Sequence, residues 1–145
     1  GLAHREFLVA VGRERDRNHF PTSRDDFFRI IEEAFGPGLP CFDTIFLGMG
    51  EDGHTASLFP GTGQCSNRHS AVLETQSPKP PHHRVTLGAG AIINARNVVA
   101  IIAGKEKKPA LKRLMQADRA LPITTILSGR RDSLVFVEKS LLDRN

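Results

Sequence analysis

The sequence predicts an α/β fold built on a mainly parallel sheet with helices on both faces. Two short apolar runs, residues 42–47 and 98–103, each stop at a glycine (Gly48, Gly104), as strands buried on both faces do. Stretches of helical period lie before and behind them, and strands that alternate with helices imply a parallel sheet. The chain has 145 residues, 39% hydrophobic and 25% charged, which suits one domain with a single core and excludes a disordered chain.

In chain order, Phe7-Leu8-Val9-Ala10-Val11 is expected to be a short strand and the charged run 12–18 a solvated loop. Thr22 or Ser23 then caps a helix through Phe35. Phe27, Ile30, Ile31 and Ala34 share one face, Asp25 and Asp26 suit the first turn, and Gly36-Pro37-Gly38 stops it. Residues 42–47 form a strand that runs into a glycine-rich loop. Residues 71–73 make a second strand. The stiff connector Pro78-Lys79-Pro80-Pro81 leads to a third at 84–87, and 98–103 is the strongest strand of all. A helix over 105–117 turns Leu111, Leu114 and Met115 inward and tolerates Pro109 only in its first turn. A last strand at 134–137 and a short helix close the chain. No internal repeat is present.

Composition narrows the function classes. No apolar run approaches the roughly 20 residues of a membrane-spanning helix, and Gly1-Leu2-Ala3-His4-Arg5-Glu6 lacks the layout of a secretory signal. A start without Met points to a processed, tagged or truncated beginning. Cys41 and Cys65 are too few for a disulfide framework and have no metal-ligand spacing, so we expect free thiols in a reducing, cytoplasmic compartment and neither metal nor cofactor. The net charge of +4 favours anionic ligands. No nucleic-acid-binding pattern is found, and the nine Phe form no stacking platform.

In parallel sheets ligands gather at the carboxyl ends of the strands. That directs attention to residues 48–60, the approach to Arg84, and residues 104–108. Gly48-Met49-Gly50-Glu51-Asp52-Gly53 satisfies the dinucleotide-binding spacing, and Glu74 lies at a suitable distance beyond it. The chemistry argues against a nicotinamide cofactor. A pyrophosphate needs a long helix whose N-terminus faces it, but Pro60-Gly61 interrupts soon after, and Glu51 and Asp52 would repel the phosphates. The loop reads better as an acid–base device. An imidazole moves protons near neutral pH, and Asp52, two residues before His54, can fix its tautomer. On these residues alone, a helix-capping role for the pair is an equal alternative. Gly48 and Gly50 would let the backbone approach a ligand closely or take positive φ.

The contiguous string from Phe42 to Gly61, with Gly48-Met49-Gly50-Glu51-Asp52-Gly53-His54-Thr55-Ala56-Ser57-Leu58-Phe59-Pro60 at its centre, closely resembles the hallmark segment of the 6-phosphogluconolactonases. These belong to the larger group that includes the glucosamine-6-phosphate deaminases. Thr55–Pro60 is similar to the lactonase branch, and Phe59 stands where the deaminases carry an acidic residue. Pro78–Leu87, Asn94–Val98 and Gly104–Lys107 continue the resemblance more loosely. It implies a Rossmann-like fold of the sugar-phosphate isomerase/lactonase type, and a phosphorylated sugar lactone as small-molecule partner. It also implies Arg84 and Lys107 as phosphate contacts; Lys105 and Lys108 read as solvated neighbours, and His82 and His83 as connector residues, one of which could reach the site. Gly88-Ala89-Gly90-Ala91 departs from the family's pattern at a helix start. The match runs from about residue 24 to the end, and the family's glycine-rich phosphate loop has no counterpart in residues 1–23. The 145 residues are thus expected to be a single α/β domain equivalent to the family's C-terminal half. The missing half, or a second copy pairing at an open sheet edge, is the partner to look for.

The implied reaction is hydrolysis of 6-phospho-D-glucono-1,5-lactone, with His54 as general base, Asp52 steadying it, and backbone N–H groups near Gly48 and Gly50 receiving the oxyanion. Two alternatives stay open: an inactive sugar-phosphate-binding fragment, and a deaminase-like enzyme.

Overall fold

The computed structural model describes residues 21–143. The strand expected at 7–11 and the loop at 12–18 lie outside them. The first described helix, α1 (Arg24–Phe35), starts where Ser23 places its hydroxyl to accept a hydrogen bond from the Asp26 N–H. The Asp26 carboxylate reaches back to the Thr22 N–H at 2.9 Å, a reciprocal cap that satisfies two otherwise orphaned donors. Gly36, at φ 78°, ends the helix. Ile31 is buried and Phe27 and Ile30 are half-buried, but Ala34 on the same face is exposed.

Three strands form the parallel sheet in the order β1 (Thr44–Gly48), β4 (Asn97–Ile102), β5 (Leu134–Val137). In its register Ile45 faces Val98 and Leu47 faces Ala100. The strands between them in sequence, β2 (Val72–Gln76) and β3 (His83–Leu87), pair with each other antiparallel, Thr75 opposite Arg84. The Pro-rich connector is far too short for a parallel crossover, which needs a dozen residues or more, so only a hairpin can join them. Helix α1 packs on this ribbon through Ile31, Phe27, Val72 and Val85.

Helices α2 (Ala89–Asn94), α3 (Lys108–Met115) and α4 (Pro122–Ser128) share one core with the sheet face formed by Ile45, Leu47, Val98, Ala100 and Ile102. Gly88 and Gly90 are required at the start of α2. A Cβ at either would lie 2.0 Å from a backbone oxygen, that of Ser70 or Arg68. The glycines that depart from the family's pattern therefore let this helix lie against the 68–70 segment. Pro109 sits in the first turn of α3, as expected, behind a single 3₁₀ turn at Lys105–Lys107. The helix ends earlier than the predicted 117. Met115 is 71% exposed instead of inward, because the buried stripe is made by Ala110, Leu111 and Leu114 and leaves it to one side. Helix α4 was not anticipated. Its Pro-Ile-Thr-Thr-Ile-Leu sequence lacks a polar face, and Pro122, Ile123, Thr124 and Ile126 are all buried.

The other face of the sheet is bare among the described residues. Phe46 is 69%, Leu134 60%, Phe136 58% and Ile101 50% exposed. The α/β class and parallel sheet stand as predicted, and among the described residues α2, α3 and α4 pack against one face of that sheet. No helix of the described residues is long and apolar enough to cross a membrane.

Candidate active site

At the carboxyl end of β1 the chain makes a tight, internally bonded turn. The Gly50 N–H donates to the His54 carbonyl at 2.9 Å and the Gly53 N–H to the Gly50 carbonyl at 3.0 Å. Gly53 has φ 81°, a conformation that favours glycine, with Leu121 packed on it. Thr55, fully buried, donates its hydroxyl to the Gly48 carbonyl at 2.8 Å and ties the exit of the turn to its entry. Two residues further, the Ser57 N–H donates to Thr86 Oγ1 and links the turn to β3.

This frame presents His54. Its Nδ1 lies 2.6 Å from Asp52 Oδ1, and the same oxygen accepts from the His54 backbone N–H at 3.0 Å. A carboxylate accepts only, so the pair assigns the ring proton to Nδ1 and leaves Nε2 as a bare acceptor. Burial works against the Asp52 charge. Hydrogen bonds from the His54 backbone and ring outweigh it and hold the carboxyl below the usual range. On its other side the imidazole leans on Phe59, with ring centroids 4.9 Å apart.

A cavity of about 770 Å³ opens at this turn, and it is lined by every residue the sequence singled out: Gly48, Gly50, Asp52, His54, Arg84 and Lys107. Arg84 arrives on β3, half-buried. One terminal nitrogen donates to the Pro80 carbonyl at 3.3 Å, while its buried Nε has no hydrogen-bond partner. Such a guanidinium retains unspent donors for an anion. Lys107 arrives from β4 through Gly104, at φ 104°, whose N–H is fixed by the Glu138 carboxylate at 2.9 Å. The two parallel strands thus end side by side, one supplying His54 and the other Lys107.

Neither Gly48 nor Gly50 has positive φ. At Gly50 the close approach is by the imidazole itself, since a Cβ there would lie 2.1 Å from Nδ1 and Cε1 of His54. Its N–H is spent inside the turn, so it cannot also receive an oxyanion. A Cβ at Gly48 would meet nothing within 4 Å.

Sequence reasoning missed Glu51, Ser57, Phe59, Ser77 and Lys79 as lining residues. Lys79 looked like part of a spacer; the available signal was Ser77 and His82, polar residues placed to close the loop around it. His82 and His83 do not line the cavity, and His82 Nδ1 is engaged with the Ser77 carbonyl. Lys108 donates to the Asp143 carbonyl. Cys41 and Cys65 are free, and burial pushes the Cys65 thiol up.

The family described as glucosamine-6-phosphate isomerases/6-phosphogluconolactonase matches residues 11–136. A 6-phosphogluconolactonase of Rattus norvegicus is 39% identical over 105 residues, 70% of this chain and 41% of that protein. Among solved structures, the 6-phosphogluconolactonase from Trypanosoma cruzi superposes with a TM-score of 0.68 at 29% identity, covering 93% of this chain and 56% of that one. The Trypanosoma brucei enzyme gives a TM-score of 0.63 at 30% identity over 84% and 55% of the two chains. The chain spans about two fifths of the length of the rat protein and just over half of the two trypanosomal ones.

Proposed function

The chain belongs to the glucosamine-6-phosphate isomerase/6-phosphogluconolactonase family, and on that premise we propose that its pocket opens 6-phospho-D-glucono-1,5-lactone to 6-phosphogluconate, a step of the pentose phosphate pathway. One observation carries the proposal. An imidazole with a bare Nε2, steadied by a carboxylate at a strand's carboxyl end, shares a cavity with two cations drawn from other elements.

In this reading Arg84 and Lys107 hold the phosphate. Nε2 of His54 takes a proton from water as the water oxygen attacks the lactone carbonyl. The tetrahedral intermediate then collapses, the ring C–O bond breaks, and the imidazolium returns the proton to the departing ring oxygen. Asp52 stabilises the imidazolium in between. With the Gly50 amide occupied, the charge developing on the carbonyl oxygen falls to the backbone around Gly48. Phe59 beside His54, where the deaminases carry a carboxylate, supports the lactonase branch over the deaminase one.

The discriminating assay offers the protein both substrates. We expect acid release from the lactone above its spontaneous hydrolysis and no ammonia from glucosamine 6-phosphate; ammonia release without lactone opening would overturn the proposal. A second reading is favoured by the bare sheet face and by the share of the relatives' length covered. In it this chain is a sugar-phosphate-binding unit that turns over only when further chain of the family fold covers Phe46, Ile101, Leu134 and Phe136. Binding of 6-phosphogluconate without turnover would select it. Two free thiols support assignment to a reducing, cytoplasmic compartment in either case.

A further inference from the structure

The mouth of the cavity is bordered by two loops of opposite charge. Glu51 stands in the His54 turn, Lys79 in the loop between β2 and β3, and both line the cavity. Their charged ends are 3.7 Å apart. The pair is largely solvated, with side chains 58% and 79% exposed, so it holds little energy of its own and is easily exchanged. The backbone beneath Lys79 is by contrast firmly set. Ser77 Oγ accepts from the Lys79 N–H at 3.1 Å and donates to the Lys79 carbonyl at 2.7 Å. The neck of the loop is shut by the Ser77 N–H on the His82 carbonyl at 2.7 Å and by His82 Nδ1 against the Ser77 carbonyl at 2.9 Å. A fixed backbone aims a long, mobile cation at the opening.

We propose that Lys79 is a substrate contact, and that the Glu51–Lys79 pair is an electrostatic latch over the cavity. Lys79 leaves Glu51 to take the phosphate of the incoming sugar. A phosphate carries more charge than one carboxylate and offers more acceptor oxygens, so the exchange runs toward the ligand. Glu51 thereby competes with substrate for the same ammonium and sets the affinity of the pocket. The inference rests on the lactonase reading and adds a third cation to Arg84 and Lys107.

Calorimetric titration of the full chain with 6-phosphogluconate tests it. Lys79→Ala weakens binding by about five- to tenfold, the value of a charged contact discounted for exposure, and Lys79→Arg retains most of the affinity. Glu51→Gln tightens binding by about two- to threefold, and that gain vanishes in the Lys79→Ala background, since there is no cation left to release. Wild-type protein that binds while Lys79→Ala binds equally well overturns the latch alone. So does a gain from Glu51→Gln that persists without Lys79. Wild-type protein that fails to bind 6-phosphogluconate overturns the latch together with the reading beneath it. Unchanged thermal melts establish that all variants are folded.

Discussion

His54→Ala should slow 6-phosphogluconolactone hydrolysis by about two to four orders of magnitude in the enzyme that contains the whole family fold, with KM little changed. The loss is confined to kcat because the proposed phosphate contacts, Arg84 on β3 and Lys107 beyond β4, sit on elements that His54 does not support. Folding should survive, since the ring is 34% exposed and packs chiefly on Phe59. What disappears is the acceptor for the water proton and the donor for the departing ring oxygen. Initial rates measured within minutes, corrected for spontaneous lactone opening, decide the matter. A variant turning over within a few-fold of the parent would remove His54 from the mechanism.

The second large effect is expected at a residue with no chemistry of its own. Gly50→Ala places a methyl carbon 2.1 Å from two atoms of the imidazole, far inside the closest distance carbon atoms tolerate. Either the ring swings off Asp52 or the turn opens and loses the bond from the Gly50 N–H to the His54 carbonyl. Both outcomes displace Nε2 by about an ångström or more, and misplacement of that size costs about 100-fold in rate. A Gly50→Ala variant whose kcat stays within a few-fold of the parent would show that Gly50 does not position the base.

Much of this arrangement could be read from the residues alone, and the parts that could not share a cause. Strands β1, β4 and β5 are short apolar runs between breakers, and α1 announces itself through Ser23, Asp26 and Gly36. The proposed base and its carboxylate are legible because two residues of one turn suffice to define the pair. Arg84 and Lys107 are distant in sequence; the strand-end rule points to their loops, and the family resemblance picks out the residues themselves. Helix α4 has no periodicity to detect because nearly its whole surface is buried. The hairpin of β2 and β3 escapes a rule that assumes a helix between successive strands. The apolar side chains of Phe46, Ile101 and Phe136 signal burial in any reading of the sequence, yet the described residues place no layer over them. Periodicity reports that a face is made for covering; it cannot name what covers it.

The tautomer of His54 tests the central claim most directly. In protein carrying ¹⁵N-labelled imidazole, observed above the pH at which the ring is charged, the proton should reside on Nδ1, and Nε2 should be bare, with a resonance that moves as 6-phosphogluconate is added. A proton on Nε2, or an Nε2 resonance indifferent to saturating ligand, would contradict it.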